Sequence, residues 1–322
     1  MRALITGGAG FMGSHLAERL LAEGHEVWVL DDLSTGAMRN IDPLMENASF
    51  HFRLGSVTDE ALVGPMVDRV DVVFHLAAAV GVKLIVANPT RTIETNIRGS
   101  EVVLKAAARK GKLTIIASTS EVYGKGVRIP YAEDDDLLLG PTSKSRWGYA
   151  CSKAIDEYLA LAYAKERDLP VLIVRFFNTV GPRQTGRYGM VVPTFVRQGI
   201  QGEDITVYGT GEQRRCFADV SDVLDALLKL VDTPSALGQV FNVGSDQEIS
   251  INGLAELVRQ ATGAESRIVH APYEEAYEDG FEDLQRRVPD LGKLEAAIGY
   301  KPSTPVEAIV DRVIAYAREN AE

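Results

Sequence analysis

The chain has 322 residues, 46% of them hydrophobic, with a net charge of −11 and an isoelectric point near 5.1. That is apolar material for one large α/β domain or one and a half, and with no basic block nucleic acid is not an expected partner. Two cysteines, Cys151 and Cys216, build no disulfide framework. No zinc spacing, signal-peptide pattern or membrane-length apolar run is present, so a cytoplasmic protein without a metal is expected.

Arg2–Thr6 reads as a buried strand running into Gly7-Gly8-Ala9-Gly10-Phe11-Met12-Gly13 and an amphipathic helix to about Glu23. Strand, glycine turn and helix are the context of a dinucleotide-binding turn. Gly7 permits the tight turn, Gly10 the approach of a pyrophosphate to backbone N–H groups, and Gly13 close helix–sheet packing; Phe11 and Met12 open the helix whose positive end faces the phosphates. A second strand, Glu26–Leu30, ends in Asp31-Asp32, about 20 residues after the glycines. A carboxylate there binds ribose hydroxyls and repels a 2′-phosphate, which favours NAD over NADP.

Strands at 50–54, 71–75, 113–117 and 171–176 alternate with helices near 59–68, 91–110 and 146–167. This pattern predicts a Rossmann-type α/β fold with a doubly wound parallel sheet. His75-Leu76-Ala77-Ala78 ends the fourth strand; the small Ala77 lets the backbone lie along a cofactor, and His75 reads as a packed strand-end residue. The fifth strand ends in Ser118-Thr119-Ser120-Glu121, with Glu121 either a general base in a pocket or a carboxylate on its rim. The acidic run Glu133–Asp136 reads as a solvated turn.

Tyr149 and Lys153 lie four apart and share one helix face. An ammonium beside a phenol should lower the phenol pKa and fit Tyr149 for proton transfer. Cys151, on another face, reads as packing. Beyond Asn178 the alternation weakens, and residues 179–322 are expected to form mainly a smaller substrate-binding lobe, with 236–244 returning to the nucleotide domain of 1–178.

Gly7-Gly8-x-Gly10-x-x-Gly13, His75-Leu76-Ala77-Ala78, Thr119-Ser120-Glu121-Val122-Tyr123-Gly124, Tyr149-x-x-x-Lys153, Arg175-Phe176-Phe177-Asn178-x-x-Gly181-Pro182-Arg183 and Val207-Tyr208-Gly209-x-Gly211 together resemble the extended short-chain dehydrogenase/reductase superfamily, in its nucleotide-sugar epimerase/dehydratase/decarboxylase branch. The resemblance spans essentially the whole chain. It implies a tightly held NAD that is reduced and reoxidised in each turnover. Tyr149 takes the proton of the sugar C4 hydroxyl, Lys153 lowers the tyrosine pKa and binds the nicotinamide ribose, and Thr119 completes the triad. Asn178 and Arg215 match diphosphate-binding positions, Val192 the segment on the base, and Tyr208 a stretch like that of UDP-sugar enzymes. It also implies a homodimer through the Tyr149 helix and the one before it, for which Ile155, Leu159, Ala162 and Val102–Ala108 are apolar enough. Relatives often carry Asp where Ser56 follows Gly55.

The branch shares the 4-keto step and divides afterwards. A UDP-sugar 4-epimerase needs little beyond the triad and is the leading expectation. The alternative is a UDP-glucuronate decarboxylase: Lys144-Ser145-Arg146-Trp147, Arg215-Cys216-Phe217-x-Asp219 and Gly280-Phe281-x-Asp283-x-x-x-Arg287-x-Pro289 are similar to those enzymes, with Ser120, Glu121 and Arg287 as decarboxylation residues. Ile85 stands where those enzymes carry a tyrosine. A 4,6-dehydratase follows, weakened by Ser120 where an acid is expected. The non-enzyme alternative is an NAD-binding regulatory module, which the whole triad disfavours.

Overall fold

The structure, a computed structural model, describes residues 1–79, 88–186, 189–273 and 284–320. Seven strands form one parallel sheet in the order β11-β6-β5-β4-β1-β2-β3. They are β1 (Arg2–Thr6), β2 (Glu26–Asp31), β3 (Phe50–Leu54), β4 (Val72–His75), β5 (Leu113–Thr119), β6 (Val171–Phe176) and β11 (Gln239–Val243). Buried on both faces, β1, β4 and β6 are near-continuous apolar runs, as a parallel sheet requires. Helices α1 (Phe11–Ala22), α2 (Glu60–Arg69), α3 (Pro89–Ala108) and α4 (Arg146–Arg167) connect them. Chain order reverses on either side of β1, and such a switch point leaves a crevice at the carboxyl ends of the strands.

Beyond β6, β7 (Thr179–Val180) pairs with β10 (Ala218–Asp219), and β8 (Ile205–Tyr208) pairs with β13 (Ile268–Ala271). A third small sheet has the order β12 (Glu248–Ser250), β9 (Arg214–Cys216), β14 (Arg286–Arg287). Helices α5 (Val191–Gln201), α7 (Ile251–Thr262) and α9 (Val306–Glu319) close a separate apolar core around Val192, Phe195, Ile205, Leu254, Val258 and Ile309. Helix α6 (Val220–Val231) and the short α8 (Gly292–Ile298) pack instead on the main sheet.

Helix α4 carries the Tyr-x-x-x-Lys pair. Lys165 and Arg167 face its negative end, and it stops at Asp168, which takes a left-handed φ of 52° just ahead of Pro170. Its inner face is fixed by a buried polar cluster. Glu157 takes a two-pronged ion pair from Arg175 on β6, 2.7 Å at its shortest, and accepts a hydrogen bond from Ser118 on β5. Arg175 also lies 4.7 Å above the Tyr123 ring. With its charges paired inside, this cluster anchors α4 against the strand that ends in Thr119.

Three expectations are corrected here. Glu133 in the acidic run is half-buried and accepts the Asn242 N–H at 2.8 Å; burial holds its carboxyl above the usual range. Cys151 is exposed, because its position on α4 faces away from the sheet. Val102, Val103, Leu104, Ala106 and Ala107 are buried inside the chain's own core and are not an outward face.

Candidate active site

Every residue singled out above for cofactor, substrate or chemistry lines one cavity of about 970 Å³ at the strand ends. On the cofactor side these are Gly7, Gly10, Phe11, Met12, Gly13, Asp31, Asp32 and Ala77. Facing them are Thr119, Ser120, Glu121, Tyr149, Lys153, Asn178, Val192, Tyr208, Arg215 and Arg287. The volume is at the upper end for a small-molecule site, as two ligands in one crevice require.

The glycine turn fits a dinucleotide. Gly7 has φ of +74°, and a Cβ there would sit 2.8 Å from the Ala77 nitrogen; at Gly13 it would sit 2.3 Å from the Gly7 carbonyl oxygen. The first turn of α1 has no side-chain cap and no acidic residue, so its N–H groups and positive dipole end are available to phosphates. Asp31 is buried and oriented by the Ala9 and Leu33 N–H groups, 2.9 and 2.8 Å from its carboxylate. Ser56 lines the cavity with its hydroxyl 2.8 Å from that of Thr58. His75 is a packed residue: Nδ1 lies 2.8 Å from Thr6 Oγ1 and Nε2 3.1 Å from Ser100, and burial drives its pKa down to about 3.

Thr119 ends β5 and caps the single 3-10 turn Ser120–Tyr123 by accepting the Glu121 N–H at 3.2 Å. This turn carries Ser120 and Glu121 into the cavity, where the Thr119 hydroxyl lies close to the Tyr149 phenol. Opposite, β14 pairs in parallel with β9, setting Arg287 beside Arg215 in register. Bonds from Tyr131 N to Val288 O (2.8 Å) and from Asp290 N to Tyr131 O (2.7 Å) tie this segment to the loop that follows the turn. Arg287 reaches Ser120 Oγ at 3.3 Å and Glu121 Oε1 at 2.5 Å, while Arg146 holds Glu121 Oε2 at 3.0 Å. Asn178 donates to the Cys216 carbonyl at 2.8 Å.

Two chemical expectations change. Burial pushes the Glu121 carboxyl up, but the charges of Arg287 and Arg146 outweigh it and hold the pKa at about 2. A carboxylate so stabilised is a poor general base, and here it holds two guanidinium groups. The Tyr149 phenol is shifted upward, not downward, by burial and then by the Glu121 charge. Lys153 does not offset this, because its ammonium is paired with Asp156 at 2.6 Å.

Arg146 and Asp156 are the residues whose parts in the site the sequence reading missed. The Arg146-Trp147 approach to the tyrosine was the available signal for the first, and Asp156 had none beyond its spacing. The stretch 80–87, with Ile85, and residues Gly280, Phe281 and Asp283 lie outside the described residues. Among the described residues no group of His, Cys, Asp or Glu could hold a metal ion, and no helix is long and apolar enough to cross a membrane.

A doubly wound sheet, a glycine turn under an oriented acid, and a Thr–Tyr–Lys group facing arginines define a dinucleotide-dependent enzyme with room for an anionic second ligand. Residues 3–244 match the model of the NAD dependent epimerase/dehydratase family, and the chain belongs to it. It is 44% identical, over 99% of its length and 98% of the relative's, to a UDP-N-acetyl-alpha-D-glucosaminuronate decarboxylase of Bacillus cytotoxicus. It is 36% identical to UDP-glucuronic acid decarboxylase 1 of Xenopus tropicalis, over 100% of this chain and 73% of that one. Its fold superposes on a UDP-glucose 4-epimerase of Thermotoga maritima with a TM-score of 0.90 and 30% identity, over 100% of both chains. The cofactor is accordingly NAD.

Proposed function

We propose that this enzyme decarboxylates a UDP-linked hexuronic acid through a transient 4-keto intermediate. The observation that carries the reading is the convergence of Arg287 and Arg146 on Glu121 beside Ser120. Both guanidinium groups line the cavity beside Ser120, and a planar guanidinium is suited to grip a substrate carboxylate. This reverses the order of the sequence-based expectation. The relatives at 44% and 36% identity are named as uronate decarboxylases, which supports the same order.

Gly7, Gly10, Gly13, the α1 N-terminus, Asp31 and Ala77 hold NAD, which when bound supplies the hydride acceptor for sugar C4. Tyr149, next to Thr119, takes the C4 hydroxyl proton as its phenolate, a form that burial disfavours and that the positive charge of oxidised NAD would favour when bound. The resulting ketone is β to the carboxylate. The bond from C5 to the carboxylate carbon breaks, releasing carbon dioxide, and its electron pair enters an enolate whose oxygen is hydrogen-bonded by Tyr149 and Thr119; a proton added at C5 then gives the 4-keto pentose. Arg287 and Ser120 orient the carboxylate so that the breaking bond overlaps the ketone π system. Asn178 and Arg215 hold the diphosphate, while Val192 and Tyr208 pack on the base. Residues from 179 onward, other than the strand 239–243 and the sheet-packed helices α6 and α8, mainly form the nucleotide-binding lobe.

The C2 substituent is an acetamido group if the 44% relative is the guide and a hydroxyl if the 36% relative is; the higher identity over both whole chains favours the first. Carbon dioxide released from either uronate supports the reading, and a product that keeps all six sugar carbons contradicts it. The enzyme is further proposed to be a homodimer through α3 and α4, whose outer faces expose Ile93 (36%), Ile155 (40%) and Tyr158 (69%) beside Cys151.

A further inference from the structure

Lys153 and Asp156 form an ion pair with almost no access to water: the two side chains are 3% and 0% exposed, and Nζ lies 2.6 Å from Oδ2. Burying two charges is costly unless the geometry is good and neighbours complete it. Here the neighbours are arranged in series. Ser100 on α3 lies close to Asp156, whose second oxygen, Oδ1, is buried without a hydrogen-bond partner; His75 on β4 lies 3.1 Å from Ser100, and Thr6 on β1 holds the other imidazole nitrogen at 2.8 Å. Thr6 also accepts the Ala77 N–H at 3.3 Å, beneath the dinucleotide turn. Buried hydrogen bonds thus run from the cofactor turn as far as Ser100, next to the ion pair that lies one helical turn from Tyr149.

We propose that Asp156 is a positioning residue for proton transfer, fixing the Lys153 ammonium and, by neutralising it, setting the pH at which Tyr149 acts. The inference rests on the reading of Tyr149 as the proton-transfer group. The other groups facing the pair are already committed. Glu157, next on α4, is bound by Arg175 and Ser118; Glu121, on the turn after β5, is held by Arg146 and by Arg287 of β14. His75 on β4 is neutral at working pH, and Ser100 on α3 does not titrate. Asp156 is thus the one carboxylate whose charge acts on the Tyr149–Lys153 pair without an arginine of its own.

Asp156→Asn keeps the volume and an acceptor oxygen for Lys153 but removes the charge. The Tyr149 phenolate then faces an ammonium that is no longer neutralised, and its pKa falls by about one unit. The readout is the holoenzyme carrying tyrosine isotopically labelled at Cζ, titrated by NMR, with the Tyr149 resonance assigned by its loss in Tyr149→Phe. The acid limb of kcat/KM should move down by the same amount, so that one unit below the wild-type limb the variant keeps about fivefold more of its plateau rate. Asp156→Glu should restore the wild-type limb. Asp156→Ser is the second variant if the amide perturbs folding, with the same shift expected. An unmoved limb and resonance, with only a lower plateau, would overturn the proposal and leave Asp156 a structural residue. Full activity in Tyr149→Phe would instead sink the underlying reading of Tyr149, and the NMR titration separates the two because it needs no substrate.

Discussion

Replacing Glu121 by Gln probes the charge arrangement at the centre of the site. The side chain is 17% exposed and lies between Arg287, at 2.5 Å, and Arg146, at 3.0 Å, which are themselves 11% and 10% exposed. Gln keeps the shape and removes the charge, leaving two nearly buried guanidinium groups without their shared anion. Removing one partner of a buried pair costs about 3–5 kcal/mol. Residual solvent access puts this case at the lower end, about 3 kcal/mol, which for 322 residues lowers Tm by roughly 4–5 °C. The Glu121 carboxyl sits at about 2 against an ordinary 4.5, so its contribution is complete above about pH 4.5 and is lost as pH falls through 2. Wild type and variant should therefore converge in acid. Arg287, no longer aimed, loses its grip on the substrate carboxylate. Carbon dioxide release is expected to drop about 100-fold, near 2.7 kcal/mol of barrier, while C4 oxidation by the Thr119–Tyr149–Lys153 group continues and reduced cofactor accumulates. The assay pairs captured carbon dioxide with near-ultraviolet absorbance after mixing with a UDP-hexuronate. Release within a few-fold of wild type, together with an unchanged melting temperature, would refute the reasoning.

His75, buried neutral with its pKa lowered from 6.5 to about 3, gives stability that is full above about pH 6.5 and is lost as pH falls toward 3. His75→Asn should flatten the acid side of the denaturant-measured stability curve by up to about 1.4 kcal/mol per pH unit; an unchanged slope would show that another group dominates. Gly13→Ala puts a Cβ 2.3 Å from the Gly7 carbonyl oxygen and 2.7 Å from Gly8 Cα, both backbone. Calorimetry should find NAD binding weakened roughly tenfold or more, and retained affinity would mean that the turn is looser than this geometry.

The parallel sheet was legible because its strands are short apolar runs between helices of clear period, and β1 through Gly13 carries its own turn chemistry. Tyr149 and Lys153 could be paired from spacing alone, since four residues on a helix fix a shared face. The electrostatics of that face could not. Asp156, three residues beyond Lys153, is as compatible with a solvated surface as with a buried counter-ion, and only the packing of α3 decides it. Glu121 is bound by Arg146 25 positions away and by Arg287 166 positions away; such separations carry no local pattern, so its conversion from base to anchor was invisible. The apolar stretch Val102–Ala108 is expected from sequence at a dimer interface, but Val102, Val103, Leu104, Ala106 and Ala107 are buried within the chain, because an apolar run does not say which neighbour covers it.

The central claim is tested most directly by an NMR time course of the purified enzyme, without added NAD, in separate incubations with UDP-N-acetylglucosaminuronate, UDP-glucuronate and UDP-glucose. The account predicts loss of the carboxyl carbon as carbon dioxide from a uronate, with a five-carbon UDP-linked product and no reaction of UDP-glucose. A galacto-configured product retaining every carbon, from any of the three, would contradict it and return the enzyme to the epimerases.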